Sequence, residues 1–439
     1  MSFKIENGVL VKYEGSETDV IIPDGVHTIS KDAFSYTPIT SVTIPGSVKR
    51  IERTAFRNTG YLNRIYLEDI MCFLEEGLVW PSFSLTEPDI SPDIYIDGVL
   101  AEEIVVPNGV KTIGDFAFNG WKNLKRVTIP ESVTRIGECA FRACINLERV
   151  SIPSSVKELG DSSFSDCTSL TNIEIPDSVK TIARYAFKRC SNLESVILPA
   201  KLRKLEWRIF ERCTALKNVT LPKSLTIIGD GAFYECSSLE KIVIPESVKK
   251  IEEDAFFNCL NLTEITIPDS VKIIGDGAFA NLKNMKVSVG SLKDYMKIRF
   301  DGPCWYETEL FLLDEGKSVI DLIIPGDVEK IGKNVFCGCN SIKSVLISEG
   351  VNVIDEGAFA RCDNMVQVTL PESLRIIGEQ AFWGCYSLEE IIIPNTVEKI
   401  RRDAFEECEK LSKAIIPKHL KSAAKRAFPE KTEIVIREQ

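Results

Sequence analysis

Cysteine is the reactive residue type that recurs at a regular spacing in this chain, so it is the first candidate for a chemical role. The chain has 439 residues and 14 cysteines, most of which recur every 23 residues. Thiols at a fixed spacing could bind soft metals or pair as disulfides. However, equivalent positions hold Trp121 and Leu282, and no Cys-x-x-Cys pair accompanies them, so the position is apolar. We predict buried, reduced and metal-free thiols, which fit a reducing compartment. The regularly spaced cysteines are Cys144, Cys167, Cys190, Cys213, Cys236, Cys259, Cys339, Cys362, Cys385 and Cys408.

The remaining residue types with catalytic chemistry form no recognisable constellation. The two histidines, His27 and His419, lie near opposite ends of the sequence, so they are not expected to act together as acid and base. The Gly-Asp-Gly runs at 229–231 and 275–277 resemble calcium or phosphate loops, but other units have unrelated residues there, which favours turns before a helix. No nucleotide-binding or nucleophile motif occurs. We predict a protein that is not an enzyme and needs no cofactor.

These residues belong to a unit of 23 residues that repeats through most of the chain. Its consensus is I-P-x-S-V-x-x-I-G-x-x-A-F-x-x-C-x-x-L-x-x-V-x. Self-similarity at this period indicates a solenoid, in which each unit buries its apolar side against its neighbours. The phenylalanine of the Ala-Phe step occurs twice before residue 60, eight times from Phe118 to Phe279 and five times from Phe336 to Phe428, although Ser, Ile or Val precedes it in three units. The spacing is marked by Pro107, Pro130, Pro153, Pro176, Pro199, Pro222, Pro245 and Pro268, then by Pro325, Pro371, Pro394 and Pro417.

Each unit has a strand, a turn and a predicted helical segment. Residues 193–198 have the Leu-x-x-Val-x-Leu spacing of a strand in a leucine-rich repeat, and Pro199 ends that strand. In each unit, a second extended segment follows the proline. In the unit that starts at Ile175, Ile182 points inward from this segment. We predict about two helical turns over residues 184–190. Stacked units would place their strands side by side in a parallel sheet.

Two interruptions separate the blocks of repeats, Tyr66–Glu103 and Lys286–Asp321. Each begins with a helix-like stretch, continues through a Pro and a Trp (80–81 and 303–305), and ends with an extended stretch. Asn7-Gly8 and Asp97-Gly98 predict hairpins. Residues 432–436 predict a last strand. We predict one continuous solenoid with these parts: 1–65, an N-terminal hairpin cap and two repeats; 66–106, an interruption with a hairpin; 107–285, eight repeats; 286–324, a second interruption; 325–439, five repeats and a capping strand.

The repeat resembles the BspA-like, Treponema pallidum-type leucine-rich repeats, over nearly the whole chain. The resemblance implies an α/β fold, namely a right-handed leucine-rich-repeat solenoid, a horseshoe or superhelix, with a concave parallel β-sheet. It also implies a non-catalytic binder or adhesin, because that is what characterised members of this family are. The adhesins of this family are secreted proteins.

Charge and hydropathy exclude several classes of partner. The net charge is −11, whereas nucleic-acid binding calls for a basic stripe and anionic lipid for a basic surface. The N-terminus has no apolar leader segment, and no apolar stretch is long enough to span a membrane. We expect no nucleic-acid partner, no membrane partner and a cytoplasmic location, or a cell-surface or secreted one if an upstream leader is removed.

The outward positions of the predicted strands remain as candidates for function. The last outward position before the Ile-Pro step is mostly β-branched or apolar, which β-propensity alone can explain. In the C-terminal block, an exposed apolar patch is the alternative explanation. The candidate protein-binding residues are Leu346, Thr369, Glu389, Glu390, Ile392 and Ile415.

Three hypotheses of different classes follow. The first is a non-catalytic scaffold that binds a protein or peptide on the concave sheet. The second is a secreted or cell-surface adhesin or host-interaction protein. The third is a carbohydrate-binding module, which would need aromatic residues on the concave face, where Tyr66 is an exception among the strand positions. The partner and the oligomeric state stay open.

Overall fold

Each repeat folds into two short strands joined by turns. The structure is a computed structural model, and it describes residues 2–74, 91–282, 284–302 and 310–437. The chain forms two compact units, Met1–Pro222 (unit 1) and Lys223–Gln439 (unit 2). The Trp and Pro residues predicted to follow the helix-like stretches, at 80–81 and 303–305, lie outside the described residues. In each unit the repeats stack as a solenoid of parallel strands, which confirms the predicted leucine-rich-repeat fold class.

We call the strand in the Leu-x-x-Val-x-Ile segment the face strand and the shorter second strand the back strand. The face strands of unit 1 are β3 Asp19–Ile21, β5 Ser41–Ile44, β7 Arg64–Leu67, β8 Asp93–Ile96, β10 Glu103–Val105, β12 Arg126–Thr128, β14 Arg149–Ser151, β16 Asn172–Glu174, β18 Ser195–Ile197 and β20 Asn218–Thr220. Its back strands are β4 Thr28–Ile29, β6 Arg50–Ile51, β11 Thr112–Ile113, β13 Arg135–Ile136, β15 Glu158–Leu159, β17 Thr181–Ile182 and β19 Lys204–Leu205.

Unit 2 has the same two kinds of strand. Its face strands are β22 Lys241–Ile242, β24 Glu264–Ile267, β26 Met285–Val289, β28 Leu310–Asp314, β30 Asp321–Ile324, β32 Ser344–Ile347, β34 Gln367–Thr369, β36 Glu390–Ile392, β38 Lys413–Pro417 and β39 Glu433–Arg437. Its back strands are β21 Ile227–Ile228, β23 Lys250–Ile251, β25 Ile273–Ile274, β27 Arg299–Phe300, β31 Lys330–Ile331, β33 Val353–Ile354, β35 Ile376–Ile377 and β37 Lys399–Ile400.

The alternation of side chains along each face strand separates core from surface. In β18, Val196 is 4% exposed, whereas Ile197 is 60% exposed. Successive strands pair in register, with Val196 opposite Val219. In-register pairing places equivalent residues of successive repeats side by side on the same face of the sheet. The inner positions therefore form one apolar core along each stack, and the outer positions form one surface.

The segment between the back strand and the cysteine is not helical, and the prediction of two helical turns over 184–190 is wrong. Tyr185 and Arg189 have φ values of 59° and 58°, in the left-handed region. The amides of Tyr185, Phe187 and Arg189 donate to carbonyls of the next repeat at 3.0, 3.0 and 2.7 Å. An α-helix would need those amides for bonds within the segment. Pairing between repeats therefore overrides the local helical periodicity.

Stacked aromatic rings fill the core beside these turns. In unit 1, Phe118 and Phe141 have ring centroids 5.0 Å apart and an interplanar angle of 11°. In unit 2, Phe382 and Phe405 are stacked at 5.0 Å and 4°. Offset-stacked pairs in this distance range stabilise a core beyond the area that they bury. The Ala-Phe step of the repeat is thus the centre of the apolar core in both units.

Hairpins start the blocks of repeats, as Asn7-Gly8 and Asp97-Gly98 predict. The strands β1 Phe3–Glu6 and β2 Val9–Tyr13 pair antiparallel, and β8 pairs antiparallel with β9 Val99–Leu100. Asn7, Gly8, Asp97 and Gly98 all have positive φ, as the two central residues of a type I′ turn require. In unit 2, β28 makes the same kind of hairpin with β29 Lys317–Ser318.

The interruptions continue the sheets of their own units. Arg64 of β7 is opposite Asp93 of β8, and Met285 of β26 is opposite Leu310 of β28. The helix-like stretches form only the short helices α1 Met71–Leu74 and α2 Leu292–Tyr295. Near the C-terminus, a 3-10 turn at Lys418–Leu420 leads into α3 Lys421–Ala427. The predicted last strand is β39, which pairs parallel with β38.

Candidate functional site

The periodic thiols are built into the hydrogen bonding between repeats. The Sγ atom of Cys190 donates to the carbonyl of Phe164 at 3.1 Å, and Cys167 donates to Phe141 at 3.1 Å. In unit 2, Cys385 donates to Phe359 at 3.2 Å. The cysteine position is therefore apolar and fully buried, as the sequence indicates, but it also has a polar role that the sequence did not reveal.

Burial makes the thiols poor nucleophiles. Burial raises the pKa of Cys72 to about 12, that of Cys139 to about 11 and that of Cys337 to about 12. It raises the pKa of Cys167 and Cys385 well above the usual range as well. Because the thiolate is the reactive form, these side chains are suited to packing. The described cysteines are free thiols, and Cys304 lies outside the described residues.

Neither histidine lies in a cluster of catalytic groups. His27 has Nε2 3.0 Å from the carbonyl of Asn7 and Nδ1 3.0 Å from Thr28 Oγ1. His419 has Nε2 2.8 Å from the carbonyl of Val397. Within the described ranges, no group of three or more His, Cys, Asp or Glu side chains could hold a metal ion. Both imidazoles therefore serve local backbone contacts.

The pairing of face strands is interrupted at two places where grooves open. Within the described residues, no strand pairing or backbone hydrogen bond joins residues 149–152 to 171–174, or 366–370 to 389–392. The pairing of face strands also ends between β22 and β24, where no groove is described. Back strands stay paired across both openings, since Glu158 is opposite Thr181 and Ile376 is opposite Lys399. The openings are local to the face side of the repeats.

The opening between β34 and β36 is what we call the acidic groove. It encloses about 520 Å³, and its walls include Val366, Thr369 and Ile392. Val366 is 41% exposed and Ile392 49% exposed. The charged side chains of the walls are Glu372, Glu389, Glu390 and Arg437. Three carboxylates beside one guanidinium give the groove a negative balance around an exposed apolar strip.

The opening between β14 and β16 is what we call the neutral groove. It encloses about 450 Å³, and its outward side chains are Arg149, Ser151, Asn172 and Glu174. One positive and one negative side chain balance each other there. The neutral groove has no large exposed apolar side chain, so it lacks an anchor for an apolar ligand.

The structure places the six candidate residues on adjacent face strands of unit 2. Leu346 is opposite Thr369, and Ile392 is opposite Ile415. Leu346 is 46% exposed, and Ile415 is half-buried. The walls of the acidic groove include Thr369, Glu389, Glu390 and Ile392, whereas Leu346 and Ile415 lie one strand further out on either side.

Three wall residues are not among the candidates predicted from the sequence. Val366 occupies the first outward position of its strand, a position that is charged or polar in most repeats. Glu372 follows the proline that ends the strand. Arg437 belongs to β39, one residue beyond the predicted last strand. The signal for Val366 was an apolar residue at a polar repeat position, which a repeat-by-repeat comparison would have found.

A second tyrosine accompanies Tyr66 on the face of unit 1. Tyr66 is opposite Tyr95 in β7 and β8, and the rings are stacked with centroids 4.9 Å apart. The sequence predicts a hairpin around Asp97-Gly98 but gives no sign that Tyr95 pairs with Tyr66. Because the two rings cover each other, each has only one face left for a ligand.

Similarity to known proteins agrees with this geometry. Residues 7–97, 89–215, 167–286 and 313–435 match the model of the BspA type leucine rich repeat region. The sequence matches none of the curated proteins at a significant level. No described helix has the length and hydropathy needed to cross a membrane.

Solved structures of leucine-rich repeat proteins are similar to all or part of the chain. A leucine-rich repeat protein from Bacteroides ovatus has 23% sequence identity and a TM-score of 0.54, covering 100% of this chain and 97% of its own. A leucine rich cell surface protein from Faecalibacterium prausnitzii has 21% identity and a TM-score of 0.41, covering 98% and 90%. The T. pallidum leucine-rich repeat protein has 25% identity and a TM-score of 0.30, covering 53% and 82%.

Proposed function

Because this chain belongs to the family of BspA-type leucine-rich repeat proteins, we propose that it is a non-catalytic scaffold that binds a peptide segment of another protein. The acidic groove is the proposed site. The observation that carries the proposal is the exposed apolar strip between carboxylates, formed where β34 and β36 separate. A rigid stack keeps this surface preorganised, which lowers the ordering cost of binding.

Apolar contacts would supply the anchoring energy. Ile392 and Val366 are 49% and 41% exposed on the two sides of the groove. Covering the exposed half of one such side chain contributes about 1 kcal/mol. By the 23-residue period Val366 corresponds to Glu389, so Ile392 lies three residues further along the face, roughly 10 Å away. Two ligand side chains would cover the two residues and act as anchors, while polar wall residues surround them.

Charge would select the peptide. Glu372, Glu389 and Glu390 are exposed, and Glu390 has a weak ion pair with Lys413 at 3.7 Å. Exposed ion pairs contribute little, so Glu390 remains available to a ligand. Negative walls favour Lys and Arg and disfavour acidic segments. The expected ligand is an extended peptide with an apolar side chain next to basic residues.

The backbone at the break supports an extended ligand. In the paired ladder, amides such as Val366 N donate to the previous repeat, here to Lys343 at 2.8 Å. Between residues 366–370 and 389–392 these bonds are not made. Polar backbone groups that are left to solvent can bond to an incoming main chain.

A selection from a random displayed peptide library would test the proposal. We expect the immobilised protein to enrich peptides with an aliphatic or aromatic residue next to Lys or Arg. A labelled peptide from the selection is then titrated by fluorescence anisotropy. The triple variant Glu389→Lys, Glu390→Lys, Ile392→Asp should weaken binding at least about tenfold, or 1.4 kcal/mol.

The neutral groove provides the matched control. Arg149→Glu with Glu174→Lys changes the same kind of positions at the other opening, and it should leave the affinity unchanged. Equal binding by wild type and the acidic-groove variant would overturn the proposed site. The same groove would serve a secreted or cell-surface host-interaction protein, and detection of the native protein in cell fractions would separate these two settings.

A further inference from the structure

The last strand of unit 2 has a free edge. β39 pairs with β38 along its whole length, with Lys413 opposite Glu433 and Pro417 opposite Arg437. Among the described residues, no strand pairs with the other edge of β39. An unprotected edge offers a row of backbone donors and acceptors for pairing with another chain. Of the residues of β39, Arg437 also lies in the wall of the acidic groove proposed as the peptide site, whereas Glu433 and Val435 do not.

The direction of the backbone groups at this edge can be assigned. Glu433 N donates to the carbonyl of Ser412 at 2.9 Å, toward β38. Backbone polar groups point alternately to the two sides of a strand. Those of Ile434 and Ile436 therefore point to the free edge.

The inner side of β39 is also incompletely covered. Ala414 and Ile416 of β38 are 0% exposed. Their register partners, Ile434 and Ile436, are only half-buried. The inner positions of β38 are covered by β39, and no described strand lies beyond β39 to cover its own. Two aliphatic side chains of β39 are thus incompletely covered by the described residues.

We propose that β39 pairs antiparallel with β39 of a second copy, forming a two-fold symmetric dimer. Its sequence, Glu-Ile-Val-Ile-Arg, is self-complementary. An antiparallel register centred on Val435 places Glu433 of each copy opposite Arg437 of the other copy. It also makes Ile434 and Ile436 hydrogen-bonded partners, which uses all the outward backbone groups of both residues. Registers centred on Ile434 or Ile436 would use only part of these groups.

Charge reversal tests the register by sedimentation velocity, without any peptide. Wild type should dimerise with increasing concentration. Glu433→Arg alone or Arg437→Glu alone should weaken the dimer on the order of tenfold, because opposite charges become like charges at two symmetric places. The double variant should restore it, and an equimolar mixture of the two single variants should form a heterodimer. A monomer at every concentration, or single reversals without effect, would overturn the proposal.

A cross-link makes the test independent of charge. In this register Val435 lies opposite Val435 of the second copy, in a non-hydrogen-bonded pair whose Cα atoms are closely spaced. Val435→Cys should therefore form a disulfide-linked dimer on oxidation. Ile415→Cys is the matched control, because Ile415 lies one strand further from the symmetry axis. It should stay uncross-linked, since one strand spacing is about 4.8 Å on each side. Equal cross-linking of both variants, or none for Val435→Cys, would contradict the pairing.

Discussion

The neutral groove and the acidic groove are openings of the same kind with different side chains. Both lie where two face strands separate while the back strands stay paired. Glu174 of the neutral groove corresponds to Ile392, and Asn172 corresponds to Glu390. The stacked repeats frame each opening, and the outward positions decide what it can hold. In this protein, fold and specificity are encoded by different positions of the same unit.

The largest effect should come from the inner positions, where the two grooves are alike. Ile173 is 3% exposed and Ile391 is 1% exposed. Replacing either with Asp buries a carboxylate without a partner and should destabilise the fold by about 4 kcal/mol or more. Ile392→Asp, on the adjacent outer position, should change stability by about 0.5 kcal/mol at most. Urea denaturation followed by circular dichroism measures all three. Unfolding by Ile392→Asp would show that the strand faces are assigned wrongly.

The thiols behind the two grooves should also behave alike. Cys167→Ala and Cys385→Ala each remove a methylene-sized sulfur and a bond to a backbone carbonyl. We expect a loss of about 1–3 kcal/mol at each site. A loss at only one of them, in the same urea assay, would show that the two stacks are packed differently.

Alkaline pH should weaken the fold through buried thiols such as Cys139. Burial raises the pKa of Cys139 from 9.0 to about 11, so the folded state holds its proton more tightly than the unfolded state. This contribution is fully present below pH 9 and is lost as the pH rises through about 11. The urea midpoint should therefore fall between these values. A midpoint that is constant over this range would contradict thiol burial.

Transplanting side chains would sharpen the contrast between the grooves. Thr171→Glu, Asn172→Glu and Glu174→Ile give the neutral groove the second wall of the acidic groove. In a protein whose acidic groove is disabled, these changes should raise affinity for the basic peptide about tenfold, measured by anisotropy. No gain would mean that the backbones of the two openings differ in a way that matters.

The smallest effect concerns the left-handed turn residues. Glu407 has φ 60° and Gly384, in the equivalent position one repeat earlier, has φ 67°. Glu407→Gly should stabilise the protein by about 0.5 kcal/mol, because relief of left-handed strain exceeds the added chain entropy. Gly384→Ala should destabilise by about 1 kcal/mol, since a Cβ there would meet Arg361 Cδ at 2.9 Å. Thermal unfolding compares both variants. The opposite signs would contradict the turn geometry.

Much of the fold follows from the 23-residue period, because in-register stacking repeats every inner position. The strands, the hairpins at Asn7-Gly8 and Asp97-Gly98 and the last strand could be predicted from local patterns. The turn segment could not. Its periodicity resembles a helix, and only bonds to the next repeat, such as Phe187 N to Ile209 O at 3.0 Å, reveal otherwise.

The candidate site could be predicted only in part. Outward positions such as Ile392 follow from alternation along a strand, so four of the six candidates line the acidic groove. The break between β34 and β36 has no sequence signal, since Val368 and Ile391 look like any paired inner residues. The hydrogen bonds of the cysteines could not be predicted either. The same repeat position also holds Trp121 and Leu282, which suggests an apolar role alone.

Hydrogen exchange of the protein with and without the selected basic peptide tests the central claim most directly. We predict that the amides in 366–370 and 389–392 that face the opening exchange faster than those of paired face strands in the free protein, and become protected when the peptide binds. Amides bonded to a paired neighbour, such as Val366 N, should stay slow. The amides in 149–152 and 171–174 that face the neutral groove should be equally fast and stay unchanged. Protection at the neutral groove, or binding without protection at 389–392, would contradict the assignment of the acidic groove as the binding site.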